Sequence, residues 1–265
     1  MVEQVTSNEK ARLSCLALFL LVLLSTAGVT SLSGCQQLRP TASSFLIRGN
    51  EYFKMNEYEK AEHEYREALL SEPKSATALN NLGVILNERA SYDDAITVLT
   101  QAIEVDPKNA IAHYVLSEAY AKKSMFDKAF EQANAAIALD STEPRAFCAL
   151  AEAELGRGHL PTAIEAYRNA CKLDDRSDKN HHKLAMVLGL SGDIEAQINE
   201  ERLALEIEPE NNDARIGLAS ALNSQGNKAD AVAELNTILD KHPDNVDARA
   251  VLNKIEGSSR AVKNK

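Results

Sequence analysis

The chain of 265 residues contains no tryptophan, 11 glycines, 7 prolines and 4 cysteines, and only 5% of it is aromatic. Each scarcity closes off a class of protein. So little glycine and proline excludes a collagen-like or low-complexity chain. Four cysteines at this length cannot staple a disulfide-dense scaffold. Basic residues are also short: 29 Lys and Arg face 39 Asp and Glu, for a net charge of -10. Nucleic-acid binding begins with an excess of base, so this balance argues against it. It argues equally against anionic lipid surfaces, unless a separate anchor supplies the attraction. The chain also carries no Walker loop, no G-x-S-x-G, no H-E-x-x-H and no dinucleotide glycine fingerprint. The expectation is a protein that is not an enzyme, with no cofactor and no metal. What is present is 45% hydrophobic and 26% charged, too apolar for disorder. Abundant Ala, Leu, Glu and Asn predict helix.

One long apolar run stands out, near the amino terminus. Lys10 and Arg12 precede Leu13 to Leu24, and small and hydroxyl residues follow from Ser25 to Gly34. A basic, then apolar, then small-residue order is that of a secretory signal. The apolar core is shorter than the roughly 20 residues a bilayer span needs. The segment closes on Leu32, Ser33, Gly34 and Cys35, which resembles the bacterial lipobox. The resemblance implies a lipoprotein signal peptide over 1–34, lipid on Cys35 and cleavage before it. A short linker, 35–41, would follow. Buried acyl chains would hold the protein at a membrane surface, each methylene contributing about 0.8 kcal/mol. In such lipoproteins Gln36 after the cysteine favours the periplasmic face of the outer membrane. An uncleaved helix over the uncharged stretch from Leu13 to Leu32 is the alternative. Both readings put the remainder outside the cytoplasm.

A period of 34 residues organises the chain from residue 42. Six gapless units register together: 42–75, 76–109, 110–143, 144–177, 178–211 and 212–245. Position 8 is always small: Gly49, Gly83, Ser117, Ala151, Ala185 and Ala219. Position 27 is Ala in five units, and position 32 is Pro73, Pro107, Pro209 and Pro243 in four. Small residues allow two helices to approach closely. Apolar pairs four apart, such as Leu82 and Leu86, line one helix face. Proline at position 32 ends one helix before the next begins.

This pattern resembles the tetratricopeptide repeat, a 34-residue helix–turn–helix with Leu-Gly, a Tyr, Ala and Pro at fixed offsets. The first unit matches at Gly49, Tyr52, Ala61, Tyr65, Ala68 and Pro73. The resemblance implies an all-α, right-handed superhelix of six repeats. A capping helix at 246–256 and a polar tail at 257–265 would complete it. Trp is missing from position 4, and Glu154, Gln197 and Glu201 are weak matches. These departures predict looser packing in units 4 and 5.

The same resemblance selects candidate binding residues, because the groove of such a superhelix is lined by positions 2, 5, 6, 9 and 12 of the first helix. They are Asn50, Asn80, Asn81, Asn87, Tyr114, Glu118, Arg145, Lys179 and His182, with apolar Leu46, Ile47, Val115 and Ile216 between them. Asn side chains bond an extended backbone as donor and acceptor. Asn50 and Asn81 also match the two asparagines of a carboxylate clamp. The basic clamp positions hold Leu46, Ile111 and Val115 instead, which excludes that clamp. Adjacent His181 and His182 do not share a helix face, so they do not form a metal site. The acids Glu195, Glu200, Glu201, Glu206, Glu208 and Glu210 read as a solvated face. Cys148 and Cys171 read as reduced and packed, a disulfide requiring that the helices bring them within bonding distance.

The reading that results is a membrane-anchored adaptor whose groove holds a protein or peptide segment. It resembles lipoproteins of pilus assembly or cell-wall enzyme recruitment. A regulatory or chaperone-like partner of an envelope enzyme or secretion system is the alternative.

Overall fold

The structure, a computed structural model, describes residues 41–263 of the chain. The expected signal peptide over 1–34, with Cys35 and Gln36, lies outside the described residues. The described residues form helices joined by turns. They are α1 (Ala42–Lys54), α2 (Tyr58–Ser71), α3 (Ala76–Glu88), α4 (Tyr92–Val105), α5 (Ala110–Lys122), α6 (Phe126–Leu139) and α7 (Pro144–Gly156). Then follow α8 (Leu160–Leu173), α9 (Asp178–Ser191), α10 (Ile194–Ile207), α11 (Asn212–Gln225), α12 (Lys228–Lys241) and α13 (Val246–Lys263). Odd-numbered helices start every 34 residues, and so do the even-numbered ones from α2 to α12. The sequence period is therefore carried into the backbone without a slip.

Local chemistry sets these boundaries. The residue before each later odd helix is Ser75, Asn109, Glu143, Ser177, Asn211 or Asn245. Asn109, Ser177, Asn211 and Asn245 accept a hydrogen bond from a backbone N–H three residues on, the usual N-cap arrangement. Each odd helix up to α11 is followed within two residues by one with positive φ, namely Asn56, Ala90, Ser124, Gly158, Gly192 or Gly226. The following N–H bonds back five residues, as Ser91 N to Leu86 O and Asn227 N to Leu222 O. This left-handed closure turns the chain into the even helix.

Small residues then let the paired helices close. A Cβ on Gly49 would collide with the Tyr65 ring, and one on Gly83 with Leu99. The interior is Ala61, Ala95, Ala129, Ala163 and Ala231, each fully buried, with Leu82, Leu86, Leu184, Leu188, Leu218 and Leu222. First helices of neighbouring pairs touch each other, and second helices do so far less. The stack therefore curves with odd helices on its inner side, the geometry of an α-solenoid.

Two sequence expectations fail. The last helix does not stop at Glu256 but continues through Gly257 to Lys263. No proline interrupts it, Gly257 has open space around it, and a glycine costs a helix only about 1 kcal/mol. Nor are units 4 and 5 loosely packed at the weak matches. Glu201 is fully buried and Glu154 nearly so. Glu154 lies against Arg157 and His159, while the Gln197 amide fills the space beside Gly189. Polar side chains of the right length fill these places, Glu154 and Glu201 each with an ion-pair partner, while Glu201 Oε1 stays buried without one.

The acidic face of α10 is corrected with them. Glu201 is buried and Glu200 half-buried: Glu200 Oε2 pairs with His181 Nδ1 at 2.7 Å, and Glu201 Oε2 with His182 Nδ1 at 2.9 Å. Two adjacent residues on α9 thus meet two adjacent residues on α10. Adjacency fails to put two histidines on one face, as expected, but each finds its own carboxylate.

Candidate functional site

On the inner side, α1, α3, α5 and α7 enclose a hollow of about 360 Å³. Asn50, Asn80 and Asn81 line it, with Val84, Ile111 and Phe53 as apolar wall. Tyr65 reaches in from α2 past Gly49, and Tyr114 and Arg145 close the far side. The Arg145 guanidinium sits 4.8 Å over the Tyr114 ring, a favourable cation–π distance.

The amides form an ordered ladder. Asn50 Oδ1 accepts from Tyr65 OH at 2.7 Å and from Asn81 Nδ2 at 3.0 Å. Asn81 Oδ1 accepts from Asn80 Nδ2 at 3.4 Å. Asn80 Oδ1 is buried and accepts from nothing. Burial pushes the Tyr65 hydroxyl up to about 12, so it stays a donor at neutral pH.

A second hollow of about 350 Å³ adjoins the first, and Arg145 borders both. Its lining is charged: Glu88, Glu118 and Glu152 against Lys122, Arg145 and Lys183, with Asn87 and Tyr92. Arg145 Nη2 donates to Glu118 Oε1 at 3.3 Å, and Lys183 Nζ to Glu152 Oε1 at 2.6 Å. Burial raises the Glu118 carboxyl, Arg145 pulls it down, and Glu152 pushes it up again. Asn87 Nδ2 donates to Val115 O at 2.9 Å, leaving a buried Oδ1 without a partner.

Seven of the nine candidate residues thus gather in two adjoining hollows: Asn50, Asn80, Asn81, Tyr114 and Arg145 in the first, Asn87, Glu118 and Arg145 in the second. Lys179 and His182 line neither. Lys179 is exposed on the first turn of α9, and His182 is turned onto Glu201. Phe53 and Val84 were legible, since they hold positions 12 and 9, the register that selected Asn87 and Asn50. Tyr65 belongs to a second helix, and only its opposition to Gly49 signals it.

The remaining chemistry is quiet. Both thiols are free and buried. Burial pushes Cys148 up to about 11 and Cys171 up to about 12, so neither is a thiolate nucleophile at neutral pH. Among the described residues no cluster of three or more His, Cys, Asp or Glu could hold a metal ion. No helix among them is long and apolar enough to cross a membrane.

Stacked helix–turn–helix pairs with a lined inner face define a helical-repeat protein. Family models described as tetratricopeptide repeat match residues 48–96, 88–144 and 200–255. Together the matches span more than half of the chain, and the chain belongs to the tetratricopeptide-repeat family. No curated protein matches the sequence. Among solved structures, one similar chain belongs to the APC/C hetero-tetramer Cut9–Hcn1. It has a TM-score of 0.74 at 16% identity, covering 82% of this chain and 43% of that one. PilF of Pseudomonas aeruginosa gives 0.66 at 16% identity, over 80% of this chain and 97% of that one. YrrB, described as a tetratricopeptide-repeat protein with an unusual peptide-binding site, gives 0.53 at 19% identity, over 70% and 96%. At these identities the likeness is one of fold.

Proposed function

We propose that the protein is a non-enzymatic scaffold that holds a segment of a partner protein along its inner face. Lipid on Cys35 anchors it at a bacterial cell envelope, on the periplasmic face of the outer membrane. Its role is in envelope complex assembly, of the kind served by pilus-assembly or cell-wall-associated lipoproteins. The observation that carries the binding reading is the pair of adjoining hollows, each with a buried amide oxygen that no protein donor reaches. Such oxygens are costly unless something pairs with them. The first hollow fits the usual ligand site, concave and largely apolar with a few placed polar groups. The anchor rests on the lipobox resemblance of residues 32–35.

A photo-crosslinking amino acid placed at Val84, inside the first hollow, tests the binding reading. The comparison site is Asp94, exposed on α4. Adducts to a defined partner are expected from Val84 alone, and Asn81→Ala with Tyr114→Ala should abolish them. Equal adducts from both sites would refute groove binding. For the anchor, Cys35→Ala should release the protein from the membrane fraction and change the amino-terminal mass. An unaltered fraction and mass would refute lipidation.

A further inference from the structure

We propose that the first hollow is a pocket for one aromatic side chain that carries a hydrogen-bond donor, the tyrosine or tryptophan of an extended partner segment. This rests on the groove-binding reading and names what the groove selects.

The walls come first. Phe53, Val84 and Ile111 supply apolar surface, and Tyr65 and Tyr114 supply rings. The hollow holds about 360 Å³, ample for a phenol or an indole. Arg145 is the one ionisable group of fixed charge at its edge, and it is already engaged by the Tyr114 ring and Glu118. A charged guest would find no free counter-charge there and would lose its hydration. An apolar or aromatic guest is favoured on area alone.

The amide ladder adds the second requirement. Donors run from Tyr65 and Asn81 into Asn50, and from Asn80 into Asn81, and then stop. Asn80 is 7% exposed, and its Oδ1 has no partner. The same amide's Nδ2 donates to Asn81 at 3.4 Å, a long bond that a turning amide gives up cheaply. Covered as it is, the oxygen meets a guest only when the amide turns toward the hollow, and the guest that repays that turn carries a donor along the apolar wall. Of the common side chains, a phenol O–H or an indole N–H is a donor carried on an apolar body, and both usually find a partner when buried. A phenylalanine fills the same space but leaves Asn80 Oδ1 unpaired, and a site built to bond a hydroxyl rejects such an analogue strongly.

The test uses the full chain in detergent and a displayed library of random 12-residue peptides. Tyrosine or tryptophan should be enriched at one fixed place in the selected peptides. For a synthetic tyrosine-containing peptide from that selection, the tyrosine-to-phenylalanine version should bind about ten-fold more weakly. Asn80→Ala should remove that discrimination, bringing the two peptides within two-fold of each other. The ratio between peptides is insensitive to a partial loss of folding, and circular dichroism at 222 nm checks the variants. Selected peptides without an aromatic position, or equal binding of the two versions to the unaltered chain, would overturn the pocket while leaving groove binding intact. Enriched peptides whose binding ignores Asn81→Ala and Tyr114→Ala, or no enrichment at all, would overturn the groove reading and the pocket together.

Discussion

Position 8 of the repeat is small in every unit, down to glycine in the first two. Opposite Gly49 and Gly83 stand Tyr65 and Leu99, whose atoms occupy the space a Cβ would take. In the third unit the position is Ser117, whose Oγ donates to Ala129 O at 2.7 Å. At Gly83 the two side chains would compete for one space, so these two positions must couple. Gly83→Ala alone should lower stability by about 1–3 kcal/mol, the cost of overpacking. In a Leu99→Ala background the same change should be neutral or stabilising, since Ala is the better helix former by about 1 kcal/mol. Urea denaturation of the four proteins measures this, and an equal cost of Gly83→Ala in both backgrounds would refute the coupling. At this scale the sequence was legible where size alone mattered. It was not legible at Glu201, because a carboxylate on a helix is ordinarily solvated. Its partner His182 lies 19 residues away, on another helix, and no local pattern joins them.

The turns show the same mixture at the scale of elements. All six odd-to-even turns use a left-handed residue at position 15 of the unit, filled by Gly158, Gly192 and Gly226 in the second half of the chain. Asn56, Ala90 and Ser124 fill it in the first half, with φ of 59°, 58° and 58°. Asparagine tolerates this conformation, but alanine has no side-chain compensation and bears roughly 1–2 kcal/mol of strain. Ala90→Gly should therefore raise stability by about 0.5–1 kcal/mol, and Gly192→Ala should lower it by about 1 kcal/mol, both measured as shifts in thermal midpoint. A fall on Ala90→Gly would mean that the turn owes nothing to strain at this residue.

A second element-scale feature replaces the tryptophan missing from position 4. His113 bonds Gln132 on its partner helix at 2.8 Å and the carbonyl of Pro107 at 3.3 Å. His181 does the same with Glu200 and Asp175, and Arg215 with Glu234 and Pro209. One polar side chain ties a helix to its partner and to the preceding turn. The helix starts were readable from the 34-residue period, but these ties were not. They depend on which polar residue faces a carbonyl across a turn, and position 4 is Phe or Leu in the other units.

Across the whole molecule, stability in a solenoid is a sum of neighbour contacts, so one weak joint can uncouple the rest. The buried apolar residues fall into three clusters, the second ending at Leu188 and the third beginning at Ile198. Between them lies the joint of α9, α10 and α11, where Glu201 is fully buried against His182 and pressed on Gly217. The Glu201 hydrogen bond raises the His182 pKa from its ordinary 6.5 against the opposing effect of burial, with Asp213 and Asp178 adding to the rise. Burial raises the Glu201 carboxyl from 4.5, His182 offsets part of that, and Asp213 adds to it. Both directions mean that the folded joint holds protons more tightly than the unfolded chain. The stability His182 contributes is fully present below 6.5 and is lost as pH rises through its folded value. Glu201 acts with the same sign from 4.5 upward. The unit most exposed to this loss is the last one, α11 to α13, which touches the remainder only through that joint. Hydrogen exchange by mass spectrometry, corrected for the intrinsic pH dependence of amide exchange, should show α11–α13 opening more readily at pH 8 than at pH 6. The helices α3 to α6 should show no such difference. In Glu201→Gln the pair no longer shares a proton, and the difference should disappear. If α11–α13 open with the same free energy at both pH values in the unaltered chain, the histidine–glutamate joint does not govern the coupling of the two ends.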